Sequence, residues 1–382
     1  MINTNVDLFF EPIDILGCVN DVYTAEMSKE QLAFLCGLIK THRPQKIVEI
    51  GVAAGGTTAV VLNCLSMIDL NAQMFSIDLS TDYYRDKSKK TGYLIEECKA
   101  KLDKKVKHTL YTGKFAIEFL EEIGKDIDFL ILDTVHSLPG EILDFLACYP
   151  LLKKGSVVVL HDIAGNHYGS SIRGFATKLL LDTVVAEKYM QICDNTAFPN
   201  IGAFKINDDT DKYIDSIFSA LTITWSYIPQ EQELYLYKKF YEKYYTHESV
   251  KLFDEAIRLN RETYDRNQQT KIELLKEVFR WSQFIKDKRI YIYGCGYFGK
   301  KLYGLLEQAG EIELAGYIIS DGQKKIDINE DVYYLSEVKL EKDKDMIFVG
   351  VHPSLQEEIC AELRKKEFAE YIIPSDKLLM TI

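Results

Sequence analysis

Strand-like and helix-like segments alternate regularly from about residue 28 to residue 207, and this alternation constrains the fold more than any other feature. Ser28 can cap a helix over "KEQLAFLCGLIKTH", which Pro44 ends, and "KIVEIG" (46–51) follows as a buried strand. The further strand candidates are "MFSIDL" (74–79), "VKHTLYT" (106–112), "IDFLILD" (127–133), "SVVVLHD" (156–162), "KYMQICD" (188–194) and "IGAFKIN" (201–207). Helix-permitting stretches separate the first five strands, whereas the short loop "NTAFPN" joins the last two. The pattern predicts an α/β fold with a mainly parallel seven-stranded sheet, closed by an antiparallel hairpin.

The sequence changes character twice after this series. Residues 213–286 are rich in aromatic residues at helical spacing and are interpreted as a helical bridge, which could pack on a neighbouring domain or join two copies of the chain. A second β-α series then begins at "RIYIYG". We therefore predict a first domain over 1–212, the helical bridge over 213–286, and a small Rossmann-like α/β domain over 287–382.

Composition narrows the possible partners and location. The net charge of −12 argues against a surface for nucleic acid, because such binding relies on clustered Lys and Arg. No run of apolar residues is long enough to predict a membrane span, and the N-terminus lacks the pattern of an export signal, so a cytoplasmic protein is expected. The eight cysteines include no C-x-x-C pair and mostly lie in apolar runs, which is typical of reduced core residues.

The stretch "VEIGVAAGGTT" (48–58) leaves the first strand and enters a helix. Gly51, Ala53 and Gly55 keep this turn thin, so that a ligand can approach the main chain near unpaired N–H groups at the helix start. Glu49 ends the strand, where an acid needs a cation or a hydrogen-bond donor. Asp78, at the end of the next strand, can accept hydrogen bonds from both ribose hydroxyls. A thin turn, a cation-seeking acid and a ribose-seeking acid together fit S-adenosylmethionine.

These residues give the chain a resemblance to the class I S-adenosylmethionine-dependent methyltransferases over roughly residues 25–210. The first motif of that family, an acid followed by spaced glycines, matches Glu49, Gly51 and Gly55, with Ala53 in place of the middle glycine. The resemblance implies that Asp78 binds the ribose and that the loop "YTGKFAIEFL", with Gly113 at its turn, lies beside the adenine.

A second group of polar residues follows the fourth and fifth strands, in "LDTVH" and "LHD". Asp133, His136, His161 and Asp162 should converge, because the carboxyl ends of neighbouring parallel strands meet at one edge of the sheet. Two carboxylates with one or two imidazoles are consistent with a divalent cation, Mg²⁺ or Mn²⁺ rather than zinc. His167 and Arg173, in the segment after the fifth strand, are candidates for facing the acceptor.

These two motifs resemble those of metal-assisted small-molecule and sugar O-methyltransferases, including cephalosporin-hydroxylase-like and macrolide-sugar enzymes. The resemblance implies that Asp133 and Asp162 bind the metal and that His136 is the base. Those enzymes have an acidic pair after the fifth strand, and His161 occupies the position of its first acid. The resemblance therefore implies that His161 is also a metal ligand. The implied acceptor is a sugar or sugar-containing small molecule, such as a nucleotide-sugar.

A third motif, "YGCGYFG", places Gly294, Gly296 and Gly299 in a G-x-G-x-x-G pattern, with Asp321 at the end of the next strand. An NAD-dependent oxidoreductase or epimerase is therefore an alternative, although 83 residues after Gly299 are too few for a substrate domain. The C-terminal domain resembles the small modules at the front of bacterial sugar acyltransferases, which implies a nucleotide-sugar ligand. A structural module and a non-catalytic nucleotide-sugar-binding scaffold also remain open.

Overall fold

The structure of the protein is a computed structural model, which describes residues 2–14, 26–100, 102, 106–164, 175–191, 199–285, 288–309, 314–326, 328–368 and 370–381. It divides into two compact units, Met1–Tyr264 and Asp265–Ile382. The helices are α1 (Glu11–Asp14), α2 (Lys29–His42), α3 (Gly56–Met67), α4 (Tyr93–Lys99), α5 (Ile117–Ile123), α6 (Gly140–Cys148), α7 (Phe175–Thr183), α8 (Asp208–Lys212), α9 (Ile214–Ala220), α10 (Glu231–Tyr244), α11 (His247–Ile285), α12 (Tyr297–Ala309), α13 (Pro353–Lys365) and α14 (Asp376–Thr381).

The first unit contains one mixed sheet. Its strands are β1 (Ile2–Asn3), β2 (Lys46–Ile50), β3 (Gln73–Asp78), β4 (Lys107–Thr112), β5 (Ile127–Leu132), β6 (Leu152–His161), β7 (Glu187–Met190) and β8 (Ile201–Lys205). The strand order is β1-β7-β8-β6-β5-β2-β3-β4. All neighbours pair in parallel except β8, which is antiparallel to both β6 and β7. The prediction of seven strands with an antiparallel hairpin is confirmed, and β1 is an additional two-residue edge strand.

Local sequence signals explain how the first long helix is placed. Ser28 accepts a hydrogen bond from the amide of Gln31, and the Gln31 side chain accepts one from the amide of Ser28, which completes a capping box. The helix ends at His42, because Arg43 adopts a left-handed conformation before Pro44. The predicted cap is therefore present.

Helices cover both faces of the first sheet. Helices α2 and α3 pack on one face around Phe34, Val60 and Phe129. The other face is covered by α5, α6, α7, α9 and α10, and its core includes Phe145 and Tyr241. Residues after 212 thus contribute to the core of the first unit, while the predicted domain boundaries stay predictions.

The second unit contains a parallel sheet of β9 (Arg289–Tyr293), β10 (Leu314–Ile319), β11 (Val332–Tyr334), β12 (Asp345–Val349) and β13 (Tyr371–Ile372). Its strand order is β11-β10-β9-β12-β13. The chain builds outward from β9 to one edge of the sheet and then crosses back to β12 on the other side of β9, as in doubly wound nucleotide-binding folds. The predicted second α/β fold is confirmed. Among the described helices, none combines the length and apolar character required to cross a membrane.

Candidate active site

The turn between β2 and α3 passes close to the end of β5. A Cβ atom on Gly51 would lie 1.9 Å from the carbonyl oxygen of Asp133, so this position requires glycine for packing as well as for its φ of +94°. Ala53 adopts a left-handed φ of 50°, a conformation that glycine accepts more easily than alanine. Close approach between neighbouring strands is therefore what keeps this turn thin.

Asp78 stabilises the same turn. Its Oδ2 accepts hydrogen bonds of 3.0 Å from the backbone amides of Val52 and Ala53, and its Oδ1 accepts one of 2.8 Å from the amide of Ser80. These bonds join the end of β3 to the turn after β2. The carboxylate also lines a cavity, where it can meet a ligand.

Glu49 lies beneath the turn, and the residues that line the cavity do not include it. Its side chain is 1% exposed, and its Oε2 accepts a 2.6 Å hydrogen bond from the hydroxyl of Thr58. Burial raises the pKa of Glu49 to about 7, although the hydroxyls of Thr58 and Ser76 partly offset the shift. The geometry thus places Glu49 below the ligand-facing surface, with Thr58 as a partner that the sequence interpretation did not recognise.

The cavity has a volume of about 330 Å³, within the usual range for ligand sites. It is lined by Ile50, Gly51, Val52, Ala53, Ile77, Asp78, Leu79, Ser80, Tyr84, Phe115, Ala116, Asp133, Thr134, Val135, Gly140, Asp144, Tyr227, Glu233 and Tyr237. This wall therefore includes four of the sequence candidates: Gly51, Ala53, Asp78 and Asp133.

Two candidate glycines do not line the cavity. A Cβ on Gly55 would lie 2.6 Å from Ile95, so this glycine permits packing against α4. The amide of Gly113 donates a 3.1 Å hydrogen bond to the carbonyl of Asp78, and Phe115 and Ala116 of the same loop reach the cavity instead. Both glycines stay predictions as cofactor contacts, and the structure gives each a role in holding the surrounding backbone.

Several cavity residues were missed by sequence reasoning. Tyr84 is one of them, and its hydroxyl donates a 3.0 Å hydrogen bond to Glu26, which also forms a 2.7 Å ion pair with Arg85. Three more missed residues are Tyr227, Glu233 and Tyr237. They lie in the aromatic segment 213–286, which the sequence indicated to be a helical bridge. The sequence signal that could have identified them is a carboxylate, Glu233, close to tyrosines on one amphipathic helix.

The four predicted cluster residues do converge. Nδ1 of His161 lies 2.9 Å from Oδ1 of Asp133, and Nε2 of His136 lies 3.5 Å from the same oxygen and 3.4 Å from Oδ2 of Asp162. Nε2 of His161 lies 3.7 Å from Oδ1 of Asp162. Because Asp133 also lines the cavity, the cluster and the cavity share a side chain.

Neighbouring polar groups orient the cluster. Nδ1 of His136 lies 3.3 Å from Oε1 of Glu141, which also accepts a 2.9 Å hydrogen bond from the hydroxyl of Thr134. Asn200 donates a 2.8 Å hydrogen bond to Oδ1 of Asp162. His136 and Asp162 have φ values of 56° and 53°, and such strained residues concentrate at functional sites.

The opposite charges in the cluster favour the ionised aspartate and the protonated histidines. Burial alone would lower the pKa of His136, but Glu141, Asp133 and Asp162 raise it to about 9. The pKa of His161 is also raised, because Asp133 and Asp162 outweigh burial. The pKa of Asp133 is lowered, since His161 and His136 overcome the opposing effect of burial. In this arrangement, positive charge on the two imidazoles balances the carboxylates.

Comparison with known proteins agrees with this geometry. Residues 48–163 match the family model described as a methyltransferase domain, and they contain the turn, Asp78 and all four cluster residues. This segment is a class I S-adenosylmethionine-dependent methyltransferase domain. A search of curated protein sequences gave no significant match.

Solved structures similar to the methyltransferase domain include three methyltransferases. An O-methyltransferase from Streptomyces achromogenes, involved in tomaymycin synthesis and solved with S-adenosylmethionine, is 15% identical, with a TM-score of 0.37 and coverage of 52% of this chain and 90% of that chain. An O-methyltransferase from Bacillus cereus with S-adenosylhomocysteine is 16% identical, with a TM-score of 0.38 and coverage of 51% and 89%. A Podospora anserina methyltransferase with S-adenosylhomocysteine is 12% identical, with a TM-score of 0.38 and coverage of 52% and 88%. At these scores the assignment rests on the family model and the sheet topology.

The donor set next to the methyltransferase cavity fits a divalent cation. One ligand atom from each of Asp133, His136 and His161 can be chosen so that all lie within 4.8 Å of one another. Asp162 adds a carboxylate beside both histidines. Mixed oxygen and nitrogen donors suit Mn²⁺ better than Mg²⁺, which prefers oxygen.

The G-x-G-x-x-G turn of the second unit lies between β9 and α12. Gly294 and Gly299 are closely packed, since a Cβ on Gly299 would lie 1.8 Å from the carbonyl of Gly294, whereas a Cβ on Gly296 would meet nothing within 4 Å. Oδ1 of Asp321 accepts hydrogen bonds of 3.0 and 2.7 Å from the amide and hydroxyl of Ser336. His167 and Arg173 lie outside the described residues.

Proposed function

We propose that the chain transfers a methyl group from S-adenosylmethionine to a hydroxyl group of a sugar or sugar-containing small molecule. The observation that carries this proposal is the position of Asp133, which lines the cofactor cavity and lies 2.9 Å from His161 and 3.5 Å from His136 in the cluster. A hydroxyl held at the cluster would therefore be adjacent to the cofactor.

The reaction breaks the bond between the sulfonium and its methyl group and forms an O–CH₃ bond, which leaves a neutral thioether. The hydroxyl proton must leave during transfer, and His136 is the proposed base for it. His136 acts as a base only in its neutral form, which a cation at the cluster would favour by opposing the carboxylates that raise the pKa of His136 to about 9. Oε1 of Glu141 lies 3.3 Å from Nδ1 of the imidazole, while Nε2 faces Asp133 and Asp162. Alignment of the acceptor oxygen with the methyl group supplies much of the remaining rate enhancement.

Asp133, His161 and Asp162 are the proposed ligands of a divalent cation. Such a cation, when bound, would lower the pKa of the acceptor hydroxyl and stabilise developing negative charge. Asn200 orients Asp162 by its 2.8 Å hydrogen bond, and Gln31 lies 3.2 Å from Nε2 of His161. A sugar acceptor is supported by the carboxylates at the cluster, which can accept hydrogen bonds from neighbouring hydroxyl groups.

A comparison of two aspartate variants tests the proposal. Asp162→Asn should abolish methyl transfer to a panel of sugars and nucleotide-sugars, while calorimetry shows unchanged affinity for S-adenosylhomocysteine, because Asp162 does not line the cofactor cavity. Asp182→Asn, at an exposed ion pair with Lys178, is the matched control. Full transfer by Asp162→Asn would contradict the role of the cluster, and full activity in EDTA would contradict metal assistance.

For the second unit, we propose binding of a nucleotide-linked sugar at the G-x-G-x-x-G turn. Support comes from the open space at Gly296 and from the reversal of strand order between β9 and β12, where such folds bind nucleotides. The alternative of an NAD-dependent oxidoreductase receives no support from the comparisons. Titration of the full chain with UDP-sugars and with NAD, against Gly296→Val as the blocked variant, should give binding of a UDP-sugar that the variant loses. Binding of NAD alone, or of neither, would contradict the proposal.

A further inference from the structure

Another cavity lies within the second unit, beside the internal strand β10. Its volume is about 400 Å³, within the usual range for ligand sites. It is lined by Lys300, Tyr303, Tyr317, Ile328, Asn329 and Glu330. The lining includes neither the glycines of the G-x-G-x-x-G turn nor Asp321, so this cavity is separate from the proposed nucleotide site. We call it the tyrosine pocket.

Tyr317 forms the floor of the tyrosine pocket. It is 1% exposed, yet its hydroxyl forms no hydrogen bond with any described residue. Burial raises the pKa of Tyr317 to about 12, and the charge of Glu330 adds to the shift, so the hydroxyl stays protonated and can donate. A buried hydroxyl without a partner costs free energy, and a ligand in the pocket would remove this cost by bonding to it.

The loop before β11 is held against β10 next to Tyr317. The amide of Tyr317 donates a 2.8 Å hydrogen bond to the carbonyl of Asp331. A Cβ on Gly316 would lie 2.8 Å from the same carbonyl, at a φ of +141°, so this close approach requires glycine. The pairing of β9 with β10 is irregular just before Gly316, and irregularities of this kind redirect the side chains that follow. The two residues before Asp331 are therefore positioned at the pocket.

Three polar side chains surround the mouth of the tyrosine pocket. Lys300 can only donate hydrogen bonds, Glu330 can only accept them when ionised, and Asn329 can do both. All three are exposed, and none of these side chains forms a hydrogen bond or ion pair with a described residue. Because Lys300 and Glu330 carry opposite charges, the lining has no net charge and favours a ligand without net charge.

The remaining lining offers apolar contact. Tyr303 and Ile328 are partly buried, and an aromatic ring beside an apolar side chain can pack against the C–H groups of a ligand. The ligand must therefore combine an apolar face with several groups that donate and accept hydrogen bonds. Hydroxyl groups on a saturated ring meet this requirement without any charge.

We propose that the tyrosine pocket binds an uncharged monosaccharide, with one sugar hydroxyl bonded to Tyr317 and the others to the polar side chains at the mouth. A zwitterion such as a free amino acid can pair with Lys300 and Glu330, but its charged groups would leave the Tyr317 hydroxyl without a partner. The buried hydroxyl therefore favours the sugar. Since the second unit alone builds this pocket, the inference does not depend on methyl transfer.

The first arm of the test observes the pocket directly, by fluorine magnetic resonance of the full-length chain made with 3-fluorotyrosine. The resonance that Tyr317→Phe lacks is that of Tyr317, and the resonance that Tyr333→Phe lacks serves as the control. Tyr333 bonds to Asp331 at 3.0 Å and does not line the pocket. At least one of D-glucose, D-galactose, D-mannose and L-rhamnose should shift the Tyr317 resonance saturably and leave that of Tyr333 unchanged. No shift with any of these sugars, or a shift with glycine or L-alanine instead, would overturn the inference.

The second arm uses exposed positions, where substitution should preserve the fold. Glu330→Ala should weaken the binding of the sugar several-fold, because a hydrogen bond to a charged group is lost. Glu358→Ala, at an exposed carboxylate that does not line the pocket, should leave the affinity unchanged. Gly296→Val should also leave it unchanged, since the G-x-G-x-x-G turn is separate from the pocket. Equal affinity of Glu330→Ala and the unmodified chain would overturn the inference, and so would loss of the sugar in Gly296→Val.

Discussion

The hydroxyl of Thr58 donates a 2.6 Å hydrogen bond to Oε2 of Glu49 beneath the turn that joins β2 to α3. This bond ties the end of a central strand to the first turn of the following helix. Since Glu49 is 1% exposed, the bond stabilises a carboxyl group that water cannot reach. Glu49 therefore supports this turn from below, whereas Asp78 holds it from the side of the cavity.

Glu49→Gln should change how stability depends on pH. The pKa of Glu49 is raised from 4.5 to about 7, so its contribution to stability is fully present below pH 4.5 and is lost as the pH rises to about 7. Glutamine does not titrate, so the unfolding free energy of the variant relative to the unmodified chain should increase by roughly 3 kcal/mol between about pH 4.5 and pH 7.5. Urea denaturation across this range measures the difference. Glu97→Gln, at an exposed position, is the control, and a constant difference would contradict the assigned environment.

Two glycine-to-alanine variants compare a closely packed glycine, Gly51, with a glycine that faces open space, Gly296. Gly51→Ala should lower the unfolding free energy by roughly 3 kcal/mol or more, because the new Cβ would lie 1.9 Å from the carbonyl of Asp133 at a φ of +94°. Gly296→Ala should change it little, because nothing lies within 4 Å of the new atom. Thermal and urea denaturation of the two variants provide the comparison. A stable Gly51→Ala variant would mean that β2 and β5 do not approach as closely as described.

Much of the fold of the first unit could be predicted from sequence. Strands such as "IDFLILD" and "SVVVLHD" are short apolar runs bounded by polar residues, and central parallel strands have this pattern because both faces are buried. The convergence of Asp133, His136, His161 and Asp162 followed from the same logic. The two-residue strand β1 was missed because its stability depends on pairing with β7 rather than on a local pattern.

The cavity was predicted less completely than the sheet. Asp78 was found because it ends a strand beside the glycine turn, but Asp144, Glu233 and Tyr237 come from helices whose apolar faces dominate the sequence pattern. Helical spacing shows which face is buried without showing which other element it meets. The position of Glu49 below the turn also depends on its hydrogen bond with Thr58. The sequence alone does not distinguish Thr58 from an ordinary residue at the start of a helix.

Substitution at the cluster should weaken cation binding without affecting the cofactor. Asp162→Asn removes a charge next to His136 and His161, and the affinity for Mn²⁺ should fall by roughly 10-fold or more. Asparagine tolerates the left-handed φ of 53° at this position, so the backbone should be preserved. Paramagnetic resonance of free Mn²⁺ measures the affinity, with Asp182→Asn as the control. Equal Mn²⁺ binding by Asp162→Asn would exclude this carboxylate as a ligand.

The most direct test of the central claim is calorimetric titration of the full-length chain with S-adenosylhomocysteine, together with the Asp78→Asn variant. The cavity between Gly51 and Asp78 predicts one binding site per chain. Asp78→Asn should weaken binding roughly 10-fold or more, because an amide N–H₂ would face the Val52 and Ala53 amides or the ribose hydroxyls. Circular dichroism of the variant shows whether the fold is retained. Saturable one-site binding that the folded variant loses would agree with the account, and the absence of binding by the unmodified chain, or equal binding by the variant, would contradict it.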